Sequence, residues 1–285
     1  MCTADNKECG RVLRQRVITA VIGGGGFFAI LYLGGPWIVV FIGIVAALAF
    51  GEWIHLKGVP LWSLPAVLGF AALEGIFFLT GSEGGLLQWV WPGSVGFDLD
   101  EAVWVVVVLF VLIPVLIRNE QTVLDTAFTL LGVLYLGIFF RDFTWLRLSG
   151  EHGLAVCTLV LLSVWATDSA AYFVGRRVRG PKLAPVLSPN KTLSGSAAGI
   201  LISPVPALVF FAVDIRPYSL PGMVVLGMVA SFAGQVGDLA ESAVKRAFGA
   251  KDSGNLLPGH GGVLDRFDSL LLAGSVAYHL LGYLR

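Results

Sequence analysis

Residues 219–246 read SLPGMVVLGMVASFAGQVGDLAESAVKR, and this stretch decides the fold class. It contains no charged residue before Asp238, and about 20 mostly apolar residues suffice to cross the hydrocarbon core of a bilayer as a helix. Its apolar run is unbroken rather than alternating, and an open sheet cannot satisfy its backbone in lipid. The stretch therefore predicts a membrane-spanning helix whose C-terminal end is polar.

The rest of the chain has the same apolar character. Of its 285 residues 56% are hydrophobic and 13% are charged, with a mean hydropathy of +0.82, whereas soluble domains are about 45–50% apolar. A net charge of zero argues against a nucleic-acid partner. The three cysteines, Cys2, Cys9 and Cys157, indicate neither a disulfide framework nor a metal site. We predict an all-α integral membrane protein, a polytopic helical bundle.

Apolar runs of the required length predict about nine transmembrane helices. They lie near residues 17–34, 37–54, 61–80, 102–118, 123–140, 154–175, 193–213, 219–244 and 263–284. We expect about five of them in an N-terminal region, 1–150, and about four in a C-terminal catalytic region, 151–285.

The distribution of basic residues predicts the orientation. With nine spans, all but four of the 19 lysines and arginines fall on one side of the membrane. The four exceptions are Arg141, Arg147, Arg216 and Arg285. Basic loops favour the cytoplasm, so we expect the N-terminus inside and the C-terminus outside.

Acidic residues are concentrated near the cytoplasmic ends of the last four predicted spans. Residues three, four and seven apart share one helix face. Three spans carry polar side chains at this spacing: Asp238, Glu241, Ser242 and Lys245; Asp265, Asp268 and Ser269; and Trp165, Asp168 and Tyr172. A charge in mid-membrane costs about 2.5–3.5 kcal/mol, so such groups need partners or ions. Hard oxygen ligands without histidine or cysteine are typical of Mg²⁺.

Two polar segments adjoin these spans. Residues 245–262, KRAFGAKDSGNLLPGHGG, combine glycines with cations ahead of a helix, and residues 188–196, SPNKTLSGS, place hydroxyl groups and a lysine before another. The backbone of such loops can approach phosphate oxygens closely. Carboxylates for a divalent metal beside loops for a polyphosphate indicate phosphoryl or nucleotidyl transfer.

Residues 242–268, SAVKRAFGAKDSGNLLPGHGGVLDRFD, resemble the signature of the phosphatidate cytidylyltransferases, also called CDP-diacylglycerol synthases. The resemblance extends to Gly237 and Asp238, to the 168–172 segment and to Ser-Pro-x-Lys-Thr at 188–192, and covers residues 160–285. One departure is Ser194, where the family usually has an acidic residue.

The resemblance implies Mg²⁺-dependent attack by phosphatidic acid on the α-phosphorus of CTP, yielding CDP-diacylglycerol and pyrophosphate for phospholipid biosynthesis. It implies a multi-pass enzyme of the inner (cytoplasmic) membrane that works at the cytoplasmic face of the bilayer as a homodimer. A second metal ion is compatible with the resemblance but not required by it.

The resemblance and the spacing together assign roles to individual residues. The metal ligands are Asp238, Asp265 and Asp268. The catalytic set is Lys245, Arg246, Lys251, Asp252, His260 and Arg266. Its lysines and arginines would neutralise phosphate charge, His260 would contact phosphate or transfer a proton, and Asp252 would contact metal-bound water or ribose. The substrate-binding set is Ser188, Lys191, Thr192, Ser242, Gly261, Gly262, Asp168 and Tyr172.

Simpler interpretations remain open for several of these residues. The aspartates can form structural ion pairs with Lys245 or Arg266, and Thr192 can be a helix cap. Glu52 and Glu74 lie in apolar runs with no basic or Gly-rich loop nearby in sequence, so we interpret them as packing contacts.

Two other functions compete with cytidylyl transfer. A CTP-dependent polyprenol or lipid kinase would use the same nucleotide but release CDP. An ion-coupled transporter would use intramembrane carboxylates for protons or sodium, and it would show inverted repeats, which the two halves of the chain lack.

Overall fold

The computed structural model describes residues 23–94, 96–116, 122–257, 259 and 261–284, without the side chains of 82–84. His260 and the basic N-terminal arm therefore lie outside the described residues. The helices are α1 (Gly23–Leu33), α2 (Gly35–Leu56), α3 (Leu64–Leu79), α4 (Leu99–Leu116), α5 (Val123–Leu148), α6 (Gly153–Val178), α7 (Leu193–Ile202), α8 (Val205–Ala212), α9 (Leu220–Ala247) and α10 (Leu264–Leu280). Short 3₁₀ turns cover Ser82–Trp89, Gly150–His152 and Leu281–Tyr283.

Six helical stretches of the described chain are long and apolar enough to cross a membrane. They are α2, α4, α5, α6 with the turn before it, α7 together with α8, and α9. Helices α1 and α3 are apolar but shorter, and α10 has 17 residues. The prediction of a polytopic α-helical membrane protein is confirmed, while nine spans and the orientation stay predictions.

The seventh predicted span, 193–213, consists of two helices rather than one. The chain breaks at Ser203–Pro204, because Pro204 has no N–H to donate to the carbonyl of Ile200. The Ser203 hydroxyl donates to that carbonyl instead, at 2.8 Å. The Ser163 hydroxyl of α6 donates to the carbonyl of Ser203 at 3.1 Å. Side chains thus satisfy the backbone at the break, as an apolar environment requires.

The segment before α7 is not a plain loop, as the sequence suggested, but a small antiparallel hairpin. Strand β1 (Lys182–Ala184) pairs with β2 (Ser188–Thr192), with Lys182 opposite Thr192. Thr192 ends the hairpin and begins the helix, since its hydroxyl accepts a hydrogen bond from the Gly195 N–H at 3.1 Å. This N-cap fixes the hairpin against the N-terminus of α7.

Glycines allow the helices of the C-terminal half to pack with their backbones almost in contact. A Cβ added at Gly237 of α9 would lie 2.6 Å from the carbonyl oxygen of Asp268 in α10. A Cβ at Gly195 of α7 would lie 2.6 Å from the carbonyl oxygen of Ala171 in α6. Small residues have this role at helix contacts in membranes. The close contact of α9 with α10 places Asp238 beside Asp268.

The N-terminal helices pack against this half through aromatic side chains. Trp53 of α2 is buried and stacks on Phe128 of α5, with ring centroids 4.9 Å apart. Phe140 of α5 packs on Phe267 of α10 at 5.6 Å. Helices α2 and α5 therefore lie next to the N-terminal turn of α10, and this arrangement brings α2 within reach of the Gly-rich loop.

Candidate active site

A polar cavity of 880 Å³ lies between α6, the β1–β2 hairpin, α7 and α9. Five of the predicted site residues line it: Asp168, Tyr172, Lys191, Thr192 and Asp238. The same walls carry three further cations, Arg176, Arg179 and Lys182. Its volume falls within the roughly 300–1,000 Å³ of typical ligand pockets. The cavity combines several cationic side chains with two carboxylates. This combination suits an anionic ligand that binds together with a metal cation.

Carboxylates from three helices converge next to this cavity. Asp168 of α6 interacts electrostatically with both Asp238 of α9 and Asp268 of α10, and the latter two also interact with each other. Lys191 of β2 forms an ion pair with Asp238. The hydroxyl of Ser242, one helical turn on, donates to the other oxygen of Asp238 at 3.3 Å. The arrangement joins the hairpin, α6, α9 and α10 at one charged centre.

A second, more buried cluster surrounds Lys245 on α9. Its Nζ lies 2.6 Å from Oδ1 of Asp265 and 3.2 Å from Oε1 of Glu241. Lys245 is 8% exposed and Glu241 is 1% exposed. Asp268 interacts electrostatically with Glu241, so it connects this cluster with the carboxylates at the cavity. Lys245 thus lies between acidic side chains of its own helix and of α10.

Asp265 is the most extensively hydrogen-bonded of the predicted metal ligands. Its Oδ2 accepts from the backbone N–H of Ser253 at 2.9 Å and of Gly262 at 2.8 Å, while Oδ1 faces Lys245. These contacts correspond to the structural ion pair with Lys245 that the sequence left open. Its place among the metal ligands stays a prediction.

The Gly-rich loop curls over Asp265. Gly261 has a φ of +81°, which favours glycine, and its carbonyl accepts from Leu257 N–H at 3.0 Å. A Cβ at Gly261 would lie 2.8 Å from Oδ2 of Asp265. Lys251 and Asp252 are exposed on this loop, and Arg266 is exposed on the first turn of α10.

Arg246 links the hairpin to the end of α9. Its guanidinium donates to the carbonyl of Leu187, in the hairpin turn, at 3.3 Å and to that of Ala250 at 2.8 Å. Ser188 begins β2, at the opposite end of the strand from Thr192. The hydroxyl of Tyr172 accepts from Arg176 at 3.1 Å at the rim of the cavity.

Ser194, the departure from the family pattern, also has a defined contact. Its hydroxyl donates to the carbonyl of Arg179 and lies 3.2 Å from the Thr192 hydroxyl. It therefore joins the end of α6 to the start of α7 beside the cavity.

The donors at this centre fit a magnesium ion in type. Among residues 23–94, 96–116, 122–257, 259 and 261–284, no three His, Cys, Asp or Glu side chains are gathered closely enough to hold a metal by themselves. Mg²⁺ in nucleotide enzymes is commonly bound by one or two carboxylates together with substrate phosphates and water. The interacting pair Asp238 and Asp268 meets that requirement.

Sequence reasoning missed two residues that reach this site from the N-terminal half. The carboxylate of Glu52 on α2 accepts hydrogen bonds from Ser253 and from the first residues of α10. The hydroxyl of Tyr135 on α5 is buried in the neighbourhood of Glu241 and Asp268. The only available signal was the cost of a polar group within an apolar run.

Comparison with known proteins agrees with this architecture. The sequence model of the cytidylyltransferase family matches residues 14–284. The chain is 35% identical over 269 residues to the phosphatidate cytidylyltransferase of Bacillus subtilis (strain 168), covering 94% of this chain and 97% of that protein. It is 37% identical over 262 residues to the protein of the same name from Staphylococcus haemolyticus (strain JCSC1435), covering 91% and 95%. This chain therefore belongs to the cytidylyltransferase family.

Proposed function

We propose that the protein is a phosphatidate cytidylyltransferase, which converts CTP and phosphatidic acid into CDP-diacylglycerol and pyrophosphate. The observation that carries the proposal is the polar cavity, where cations and carboxylates meet at the ends of apolar helices. The relatives that bear this name match over nearly their whole length. A lipid substrate and a polyphosphate substrate both find suitable surroundings here.

The triphosphate of CTP would bind among the cavity's cations, Arg176, Arg179, Lys182 and Lys191. Arginine binds phosphate oxygens in pairs of hydrogen bonds, and lysine contributes a mobile point charge. Lys191 is paired with Asp238 in the structure. On nucleotide binding it would exchange this carboxylate for a phosphate oxygen, which leaves Asp238 available to a cation.

Asp238 and Asp268 would hold Mg²⁺, with Asp168 adjacent and Asp265 as the further predicted ligand. A bound Mg²⁺ would polarise the α-phosphate and neutralise the charge of the departing pyrophosphate. The chain's own part is to orient the two substrates. A phosphatidate oxygen attacks the α-phosphorus, the bond to the β-phosphate oxygen breaks, and the leaving pyrophosphate remains among the cations.

The predicted roles of the remaining residues belong to the same proposal. Lys245 holds Asp265 and Glu241 in place. Arg246, Lys251 and Arg266 lie on or beside the Gly-rich loop, exposed to an incoming anion, and Asp252 is exposed on the same loop. His260, outside the described residues, follows Gly259 on that loop.

We further propose that this end of the bundle faces the cytoplasm. The hairpin, the C-terminal ends of α6 and α9 and the start of α10 meet there, and they carry many of the chain's basic residues. Basic segments favour the cytoplasmic side. Nine spans, the division at residue 150, the inner-membrane location and a homodimer are parts of this proposal.

The decisive experiment uses CTP labelled separately in the α- and γ-phosphates. Purified protein in detergent would be incubated with phosphatidic acid, Mg²⁺ and each labelled nucleotide. The proposal predicts α-label in the lipid and γ-label in pyrophosphate. Transfer of γ-label to a lipid alcohol with release of CDP would identify a kinase instead. Absence of any labelled lipid, with cation uptake into proteoliposomes, would favour the transporter.

A further inference from the structure

Glu52 lies near the end of α2, more than 200 residues away in sequence from the groups that it contacts. Its Oε1 accepts from the backbone N–H of Val263 at 2.8 Å, and its Oε2 accepts from that of Leu264 at 2.9 Å and from the hydroxyl of Ser253 at 2.9 Å. Both oxygens therefore accept hydrogen bonds from the loop and the helix that follow α9.

These contacts make Glu52 the cap of another helix. The N-cap position of α10 is Val263, whose side chain cannot accept a hydrogen bond. The first N–H groups of any helix lack partners within it, and the positive end of the helix dipole favours an anion. The Glu52 carboxylate supplies both the acceptor and the negative charge, although it belongs to a different helix.

The loop is shaped around this carboxylate. A Cβ at Gly254 would lie 2.7 Å from Oε1 of Glu52, and a Cβ at Gly262 would overlap its Oε2. Ser253, next to Gly254 in the chain, is 2% exposed. Two glycines and a buried serine thus allow the loop to close tightly over one side chain, which accounts for three positions of the 242–268 signature.

Ser253 connects Glu52 to the proposed active site. Its hydroxyl lies 2.9 Å from Oε2 of Glu52 and 3.0 Å from Oδ2 of Asp265, and its N–H donates to that Oδ2. Asp265 in turn binds Lys245. Glu52 is therefore one hydroxyl group away from the buried cluster on α9 and α10.

We propose that Glu52 is a positioning residue for cytidylyl transfer: it clamps the 253–262 loop and the first turn of α10 so that Asp265 and Asp268 face the substrates. The proposal rests on the proposed function. It gives the N-terminal half a defined part in catalysis, and it replaces the packing role that the sequence suggested for Glu52.

The test compares Glu52→Gln with Glu74→Gln. Both variants replace a carboxyl group with an amide in an apolar helix, but the Glu74 carboxyl has no hydrogen-bond partner among the described residues. An amide at position 52 cannot accept on both ends, so one donor of the loop or of α10 loses its acceptor. We expect Glu52→Gln to lower kcat by roughly 10- to 100-fold, as loss of supporting hydrogen bonds does at catalytic sites. Glu74→Gln should retain wild-type kcat.

Two further measurements separate positioning from a loss of folding. Hydrogen exchange should show faster exchange at 253–264 in Glu52→Gln, with the other helices protected as in the wild type. If that variant does not yield monodisperse protein, Ser253→Ala removes the hydroxyl that joins Glu52 to Asp265 and keeps the two backbone hydrogen bonds of Glu52. This variant should still lower kcat while the KM for CTP changes less. Wild-type kcat in Glu52→Gln, or a loss of activity with unchanged exchange at 253–264, would overturn the proposal. An inactive wild-type protein would instead contradict the proposed function.

Discussion

Replacing Lys245 with methionine tests whether the buried cluster is held together by charge. Lys245 Nζ lies 2.6 Å from Asp265 and 3.2 Å from Glu241, and no side chain of the three is more than 10% exposed. Methionine keeps most of the volume but removes the cation. Two neighbouring acidic side chains, those of Asp265 and Glu241, then lose their cation inside the bundle.

A second ion pair of nearly the same length, between Lys57 and Asp125, serves as the control. Lys57 lies 2.7 Å from Asp125, but these side chains are 18% and 27% exposed. Removing one partner of a buried pair costs about 3–5 kcal/mol, whereas a solvated pair contributes up to about 1 kcal/mol. At about 2–4 °C per kcal/mol, Lys245→Met should lower Tm by about 6–20 °C and Lys57→Met by no more than about 4 °C.

The buried thiol of Cys157 provides the assay. In a Cys2→Ala, Cys9→Ala background it is the only thiol of the chain, and it reacts with a fluorogenic maleimide only when the bundle opens. Adding Glu241→Gln to Lys245→Met removes one of the two acidic side chains that lost their partner and should recover part of the lost Tm without restoring activity. Equal Tm shifts for Lys245→Met and Lys57→Met would refute the reasoning.

Two further substitutions test the packing and the cap beside the cavity. Gly237→Ala should lower the free energy of unfolding by about 1–3 kcal/mol and lower kcat, because the new Cβ would lie 2.6 Å from the Asp268 carbonyl oxygen. The control is Gly75→Ala, whose Cβ would meet nothing within 4 Å, and it should match the wild type in Tm and turnover. Thr192→Val should lower the free energy of unfolding by about 1 kcal/mol and raise the KM for CTP, because it removes the acceptor of the Gly195 N–H. Thr192→Ser should retain the wild-type stability and KM. A Thr192→Val variant with unchanged stability and KM would count against the cap.

The helices were largely predictable because apolar runs report directly on the lipid environment. The run at 37–54 corresponds to α2, Gly35–Leu56, and the run at 219–244 to α9, Leu220–Ala247. The hairpin at 182–192 was not predictable, because its strands have only three and five residues and carry no alternating pattern. Pro204 indicates a helix break after Ser203. The hydrogen bond that α6 donates to the Ser203 carbonyl at this break could not be predicted from the sequence.

The candidate site was predictable in its residue types but not in its pairings. Helical spacing placed Asp238, Asp265 and Asp268 on suitable faces, and the structure brings Asp238 and Asp268 together as expected. The same spacing could not show that Lys191 pairs with Asp238 while Lys245 pairs with Asp265. Glu52 escaped prediction for the same reason, since its partners lie more than 200 residues away in sequence.

The central claim is that Asp238 of α9 and Asp268 of α10 hold a divalent ion together with the phosphates of CTP. Equilibrium dialysis of Mn²⁺ in the presence of CTP, with bound ion measured by electron paramagnetic resonance, tests it most directly. Wild-type protein and Glu74→Gln should bind Mn²⁺ that excess Mg²⁺ displaces. Asp238→Asn and Asp268→Asn should each weaken that binding at least about tenfold. Binding of Mn²⁺ and CTP by both variants at wild-type affinity would contradict the claim.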